Sequence, residues 1–547
     1  VTTVAPANLA PSSQGPSSQG SGEGMAPAAA GPASSRRPPA GGDAPAVRLT
    51  GGALLAAGFI LSFANFMVVL DMTIANVSVP NIAGGLGVSA NQGTWVITSY
   101  AVAEAITVPL TGWLAQRFGS VRTFVAAMAM FGLFSALCGL APSLNVLVVF
   151  RILQGLAGGP MMPLSQTLLL RVFPKEQAGK AMGLWAMTTV VGPIAGPILG
   201  GLICDSYSWP WVFFINVPFA AVFSLLAWRM LAGQETQTKK LPIDFTGLGI
   251  MIVWIAALQI MLDQGEDLDW FNSPFIVGLL ITAVIGFLAF LIWELTATDP
   301  IVNLRVFANR GYAIGCVVMC LCFGSYFAAV VIVPLWLQTN LGYTATWAGY
   351  AVAPAGVFAV IVSPMVAKLM TRFDPRILLF VGVTGLASTM AMRSGFASNI
   401  NFAAIVVPQF AQGLFMPLFF VPVFALSLGA LKPQEIAGGA GLLSFTRTMA
   451  GAFATCIATT FWSDTARRSR VQILNQTDTG SAVHHMTSLG MSQPQAIRQV
   501  EGLIQSQSVM LATDKLFLGI AILMAIAALS IFFIPKPKRA TAPVAAH

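Results

Sequence analysis

The sequence predicts an all-α membrane protein of fourteen transmembrane helices, built as two six-helix halves with two further helices between them. Three observations predict it. Of the 547 residues, 56% are hydrophobic and only 9% charged, against roughly 25% charged in an ordinary soluble protein. Lipid must therefore face most of the chain. From Leu54 onward, apolar runs long enough to cross a bilayer, roughly 20 residues each, follow one another to the end. Finally, an internal repeat ties the early runs to the late ones.

Taken in order, residues 1–50 come first: a segment of Ala, Pro, Gly, Ser and Gln with PSSQG in tandem at 11–15 and 16–20. It has too little apolar surface to offset its ordering entropy and is expected to be a disordered cytoplasmic tail. The first half, 51–232, carries runs at 54–78, 94–114, 122–141, 144–168, 180–203 and 211–231. Two inserted runs, 244–262 and 274–294, occupy 233–300. The second half, 301–534, carries runs at 312–335, 347–370, 377–392, 403–430, 437–461 and 515–534, with a polar loop at 462–514. Residues 535–547 form a second short tail. Most of the 28 Lys and Arg residues fall on the side of the two tails. Arg393, Arg467, Arg468, Arg470, Arg498 and Lys515 fall on the other. By the positive-inside rule both termini are expected in the cytoplasm, with 462–514 outside.

Several function classes are excluded by the same reading. Net charge is +8, but the basic residues flank apolar runs, which argues against nucleic acid as a partner. All six cysteines lie in apolar segments, so a disulfide framework is not expected. No histidine lies in a span, and neither a metal motif nor a Ser/His/Asp set can be assembled at membrane depth. Gly179-Lys180 lacks the rest of a phosphate loop, so ATP is not expected to drive the protein. No cofactor or metal is called for, and no enzyme.

The repeat is carried by paired sequences. LGVSA (86–90) is echoed by LGYTA (341–345), Pro109 by Pro364, and Arg117-Phe118 by Arg372-Phe373, all at an offset of 255 residues. QGL at 154–156 returns at 412–414, offset by 258. Two such halves around a central cavity are a transporter plan.

Within the membrane, a charged group costs about 2.5–3.5 kcal/mol on insertion scales, so each one needs a reason. Asp71, Glu104, Arg151 and Arg447 stand out. By helix rise, Asp71 and Arg151 lie at similar depths, roughly 7 and 6 Å to the outer side of the midplane, so the two can meet. The pair is either a static clasp or a proton-coupling site. Burial favours the neutral acid and a guanidinium favours the carboxylate, so protonation can follow the arginine's position. Glu104 has no partner at helical spacing and is expected to titrate or to face water. Arg447 either binds an anionic group or anchors its helix. Gln154, Gln409, Gln412 and Arg447 are candidate substrate or coupling residues. In the fifth run, Gly192, Gly196 and Gly200 form one stripe at four-residue spacing, interleaved with Pro193 and Pro197 and closed by Gly201. Such a helix packs closely and bends, which suits a gate between the halves or a dense static contact.

LDMTIANVSVP (70–80), GWLAQRFGSVR (112–122), FRILQGLAGGP (150–160) and GPIAGPILGG (192–201) resemble four motifs of the fourteen-span drug:proton antiporters in the major facilitator superfamily. NQGTWVITSY (91–100), LQIMLDQGEDLDWF (258–271) and YTATWAG (343–349) resemble its EmrB branch in particular. The resemblance covers about 54–534. It implies the major facilitator fold and proton-driven export of hydrophobic toxic compounds from the bacterial inner membrane. It implies partners too: a periplasmic adaptor of the HlyD/EmrA type and a TolC-like outer-membrane channel, with 462–514 as a docking surface. It gives Asp71 and Arg151 to proton coupling, the fifth-run glycines and prolines to the gate, and Gly112, Gln116, Arg117, Gly119 and Arg122 to the loop 2–3 motif. Two positions depart from the pattern. Gln116 stands where the motif has an acid, and Glu104 where EmrB relatives carry a neutral polar residue. A nutrient importer or a lipid transporter on the same fold is the alternative.

Overall fold

The computed structural model describes residues 50–535 apart from 175–176, 241, 299, 398–399 and 433. The expected N-terminal tail, nearly all of the C-terminal one and the basic residues they carry lie outside the described residues. Nineteen α-helices and a few short 3-10 turns make up the described secondary structure, and there is no strand among the described residues. The first half contains α1 (Gly51–Leu86), α2 (Ala90–Gly93), α3 (Trp95–Thr107), α4 (Thr111–Phe118), α5 (Ser120–Gly139), α6 (Leu144–Gly158), α7 (Met161–Val172), α8 (Ala178–Ser206), α9 (Trp211–Phe214) and α10 (Asn216–Leu231). The inserted pair is α11 (Phe245–Gln264) and α12 (Pro274–Thr296). The second half contains α13 (Arg310–Asn340), α14 (Ala345–Arg372), α15 (Pro375–Arg393), α16 (Phe402–Gly429), α17 (Ile436–Gln476), α18 (Thr479–Ser488) and α19 (Gln493–Ser530).

By length and apolarity, 11 of these stretches can cross a membrane, and α8, bent at Pro193, makes a twelfth. Pro193 and Pro197 each withhold a backbone donor from the helix ladder, and Pro197 leaves the Pro193 carbonyl without its helical partner where the bend falls. The other two of the fourteen expected runs fall on α3–α4 and on α17. The first is broken around Pro109 into pieces of 13 and 8 residues. The second is diluted by Gly, Ser, Thr and Arg447. The stretch 462–514, expected as a loop, is instead mostly helical. α17 runs on to Gln476, Asp478 caps α18 by accepting from the Ser481 amide and hydroxyl, and Ser492 with Gln495 forms a capping box that starts α19. The Ser481 hydrogen bonds hold the Asp478 carboxyl below its ordinary value. Polarity there reflects water around the helices, not loss of helix.

In the first half α1 packs on α8 and α10, α3 on α6, and α5 on α6 and α10. In the second, α13 packs on α17, α14 on α16, α15 on α16 and α19, and α17 on α19. The repeat is visible at atomic scale. A Cβ on Gly155 of α6 would meet the Tyr100 carbonyl and the Ala103 side chain of α3. A Cβ on Gly413 of α16 would meet the Ala355 carbonyl and the Phe358 side chain of α14, the same contact carried to the repeat positions.

The halves meet where α8 lies antiparallel on α14 and where α17 crosses α3, α4 and α7. Glycines make this approach possible. A Cβ on Gly112 would sit 2.7 Å from the Gly438 Cα, one on Gly183 3.2 Å from the Ser363 carbonyl oxygen, and one on Gly349 2.7 Å from Ile198. The inserted helices pair with each other, α11 touching α3 and α17 while α12 remains the most exposed. Asp263 of α11 accepts a hydrogen bond from Thr98 of α3 and fastens the pair to the first half.

Candidate functional site

Three of the buried polar clusters among the described residues contain the charges singled out from the sequence or hold the glutamines. The first is centred on Asp71, a little past the middle of α1 and fully buried. Arg151 of α6 donates from Nη1 to Asp71 Oδ2 at 2.5 Å, and this ion pair has no exposure on either side. Asp71 Oδ1 accepts from Gln154 Nε2 at 3.0 Å and from Asn216 Nδ2 at 2.8 Å. Asn216 sits at the start of α10 and also reaches Ser135 of α5 at 3.2 Å. Arg151 Nε donates to the Val96 carbonyl at 2.9 Å, and its guanidinium stacks 4.2 Å from the Tyr100 ring centroid. Nη2 of Arg151 has no partner. Side chains of α6 and α10 thus meet the carboxylate of α1, and α3 and α5 hold those partners in turn.

The second cluster crosses between the halves. Glu104 of α3 is buried, and its Oε2 has no hydrogen-bond partner. Arg447 of α17 lies within electrostatic reach of it, a pairing that helical spacing could not reveal because the residues come from different halves. Arg447 donates from Nη2 to the sulfur of Met162 in α7. Its guanidinium lies 5.4 Å from the Phe323 ring centroid and 5.8 Å from that of Trp185. Trp185 of α8 meets Phe424 of α16 edge-on at 4.7 Å. On the same helices that carry these side chains, the amide of Gln166 (α7) and the hydroxyls of Ser325 (α13) and Ser444 (α17) are buried without partners, as are Glu104 Oε2 and Arg447 Nε. Unsatisfied polar atoms in an aromatic, sulfur-lined seam leave open hydrogen-bonding capacity there.

The third cluster lies at the end of α15. Arg393, expected on the outer side directly after the run 377–392, is the last residue of that helix. Its burial is what the sequence did not show, and Gln409 and Gln412 of α16 accept hydrogen bonds from its Nη2. The two glutamines singled out from the sequence are therefore held by an arginine that was not.

The glycine stripe also needs correction. A Cβ on Gly192 would lie 2.5 Å from Val69, one on Gly196 would overlap Thr73, and one on Gly200 would lie 3.2 Å from Ile74. All three partners belong to α1, so the stripe closes a seam inside the first half rather than between halves. Four-residue spacing fixes one face of α8 but not its neighbour. Pro193 lies on the wall shared with the second half, beside Tyr326 and Arg393. Pro197 is half-buried, and Gly201 has open space where a Cβ would go.

At the loop 2–3 motif, Gly119 has φ 97° and its Cβ would lie 2.5 Å from the Glu235 carboxyl. Glu235 follows α10 and caps α5, accepting from the amides of Val121 at 3.0 Å and Arg122 at 2.9 Å. The Lys239 amide donates to the Gln116 carbonyl at 2.8 Å. An acid thus does reach the motif, at the amides of Val121 and Arg122, from more than a hundred residues away, where no local pattern could show it. The Arg122 guanidinium lies in an exposed 3.9 Å contact with the same carboxyl. Glu235→Ala is expected to lower stability by about 1–3 kcal/mol, since two helix-terminal amides lose their acceptor. Hydrogen exchange at Val121 and Arg122 should speed up; unchanged exchange would show that the cap holds nothing.

Two repeated helical halves that meet along a polar seam, with charges buried in mid-helix, define a membrane transporter. Residues 61–455 match the family model of the Major Facilitator Superfamily. The chain is 42% identical over 475 residues to "Multidrug export protein EmrB" of Escherichia coli (strain K12), covering 86% of this chain and 93% of that one. It is 41% identical over 494 residues to "Fatty acid resistance protein FarB" of Neisseria gonorrhoeae, covering 89% and 97%. Among solved structures, the proton:xylose symporter XylE bound to 6-bromo-6-deoxy-D-glucose has the same fold, with TM-score 0.57 and 14% identity over 88% of this chain and 96% of that one. The chain belongs to the major facilitator superfamily and is an EmrB-like member of it.

Proposed function

We propose that this protein is a proton-driven multidrug exporter of the bacterial inner membrane, with both termini in the cytoplasm. It serves as the pump of a tripartite system with a HlyD/EmrA-type adaptor and a TolC-like channel. The observation that carries this reading is the likeness, over nearly the whole chain, to one protein named for multidrug export and another named for fatty acid resistance. The geometry supports it in two places. Asp71 is a buried carboxylate ion-paired across helices, α1 to α6, the arrangement a proton-coupling reading requires. The seam around Glu104, Arg447, Met162, Trp185, Phe323 and Phe424 combines adaptable apolar surface with unsatisfied polar groups, as a site for varied hydrophobic compounds requires.

The helical projection formed by the ends of α17 and α19 with α18 supports the adaptor reading. It encloses a groove of about 720 Å³ lined by residues such as Arg470, Val483, His484 and Glu501. Expression in a pump-deficient host, with and without a matching adaptor, tests the whole assignment. Raised resistance to several unrelated hydrophobic compounds, dependent on the adaptor, is the expected result; no change in susceptibility would overturn it.

Glu104→Gln separates cargo classes. The amide preserves size, so packing survives, while a cationic compound in the seam loses the one carboxylate that can pair with it. Resistance to lipophilic cations is expected to fall about tenfold, the worth of one charge-assisted contact of roughly 1.5 kcal/mol. Resistance to neutral compounds should barely change. Equal falls in both classes would make Glu104 a general coupling site instead.

A further inference from the structure

Arg393 is a buried cation without an ion-pair partner among the described residues. It is 1% exposed at the end of α15. Nη2 donates to Gln409 Oε1 at 3.0 Å and to Gln412 Oε1, and Nη1 donates to the Met390 sulfur at 3.3 Å. Nε has no partner. The guanidinium lies 5.8 Å from the Phe517 ring centroid, and the titratable group that acts on it is the Tyr326 hydroxyl, not a carboxylate. The contrast with the first half is sharp. Gln409 and Gln412 stand at the repeat positions of Arg151 and Gln154, where the guanidinium has Asp71 to meet it. In the second half the arginine comes from α15, and only neutral amides and a thioether receive it.

A guanidinium does not shed its proton in a protein. Burying it leaves a desolvation cost of several kcal/mol, which amide dipoles offset only in part. An arriving anion would complete the offset. A cavity of about 30 Å³, room for a single water, lies against Arg393. Its walls are apolar and span the seam: Tyr326, Val333 and Pro334 from α13, Val352 from α14, and Pro193 from α8 of the opposite half.

We propose that Arg393, Gln409 and Gln412 form a binding site for the carboxylate of amphipathic acids. The headgroup pairs with the guanidinium while the apolar body lies along α13 and α14. The inference rests on the export reading for its biological role, and it assigns receiving residues to acids, a class that Glu104 would repel. In the present arrangement only a water fits, so the acid enters when the two halves part. The same anionic chemistry is offered by lipid headgroups, and the test separates the two sources.

The experiment measures equilibrium binding of radiolabelled dodecanoate and of dodecanol to the purified full-length protein in zwitterionic lipid nanodiscs. Wild type should bind the acid at least tenfold more tightly than the alcohol. Arg393→Gln should erase that preference while leaving dodecanol binding unchanged, and Arg393→Lys, which keeps the charge, should retain part of it. Wild-type acid and alcohol binding of equal strength would overturn the proposal. So would an Arg393→Gln protein that keeps the preference, or one that loses both ligands equally, since the arginine would then only hold α15 to α16. If phosphatidylglycerol in the nanodisc abolishes the preference for dodecanoate, the occupant is a lipid headgroup and the cargo assignment fails. Because binding is read without transport, the result stands apart from whether the protein exports anything.

Discussion

Asp71→Asn is expected to abolish substrate-driven proton movement in proteoliposomes and also to lower the yield of folded protein. The second effect follows from the geometry. The single oxygen of an amide can accept from Gln154 and Asn216, which turns an N–H donor toward Arg151, or from Arg151, which turns that donor toward the other two. In either case donor meets donor. An uncompensated buried guanidinium remains, at a cost of about 3–5 kcal/mol. Loss of flux in the single mutant therefore confounds coupling with folding. Asp71→Asn with Arg151→Gln removes both charges together, and its folded yield should recover most of the way to wild type. Coupled flux should stay absent, because no group in the cluster can then carry the proton. A double mutant that folds and couples normally would reduce the cluster to a clasp between helices.

Gly196→Leu is expected to destabilise the first half severely. Its side chain would begin inside the space of Thr73 and 3.0 Å from the Ile74 amide nitrogen, so α1 and α8 must separate. Overpacking a fitted contact costs about 1–3 kcal/mol, with more where backbone must shift. Gly201→Leu, one turn onward with open space at its Cβ, is the control and should behave as wild type. Thermal unfolding of the purified proteins reads the difference. Should Gly196→Leu unfold at the wild-type temperature and yet fail to transport, the stripe would be a contact that opens in each cycle, and the gate role implied by its motif would return.

The sequence was most informative where one helix, or one depth, decides the matter. Asp71 and Arg151 are an expected pair because a charge in lipid must find an opposite charge near its own depth, and few were available. The repeat was legible because Gly155 and Gly413 serve the same close contact. Information ran out where partners come from distant segments. Helical spacing shows that Gly192, Gly196 and Gly200 share a face, but α1 as the neighbour is set by tertiary packing. Glu104 and Arg447 belong to different halves, and Glu235 caps α5 across a gap that no local pattern spans. The burial of Arg393 was missed for a physical reason: an arginine after a short apolar run reads as a helix end in water, and only the two amides of α16 show why it stays inside.

Proton-coupled export is most directly tested by the wild-type protein alone, reconstituted in one orientation in proteoliposomes with a pH-sensitive dye. With no imposed gradient, addition of a lipophilic cationic substrate on the cytoplasmic face should drive protons in the opposite direction. An imposed gradient should in turn drive substrate uphill. Substrate movement that neither carries protons nor responds to a proton gradient would contradict the account.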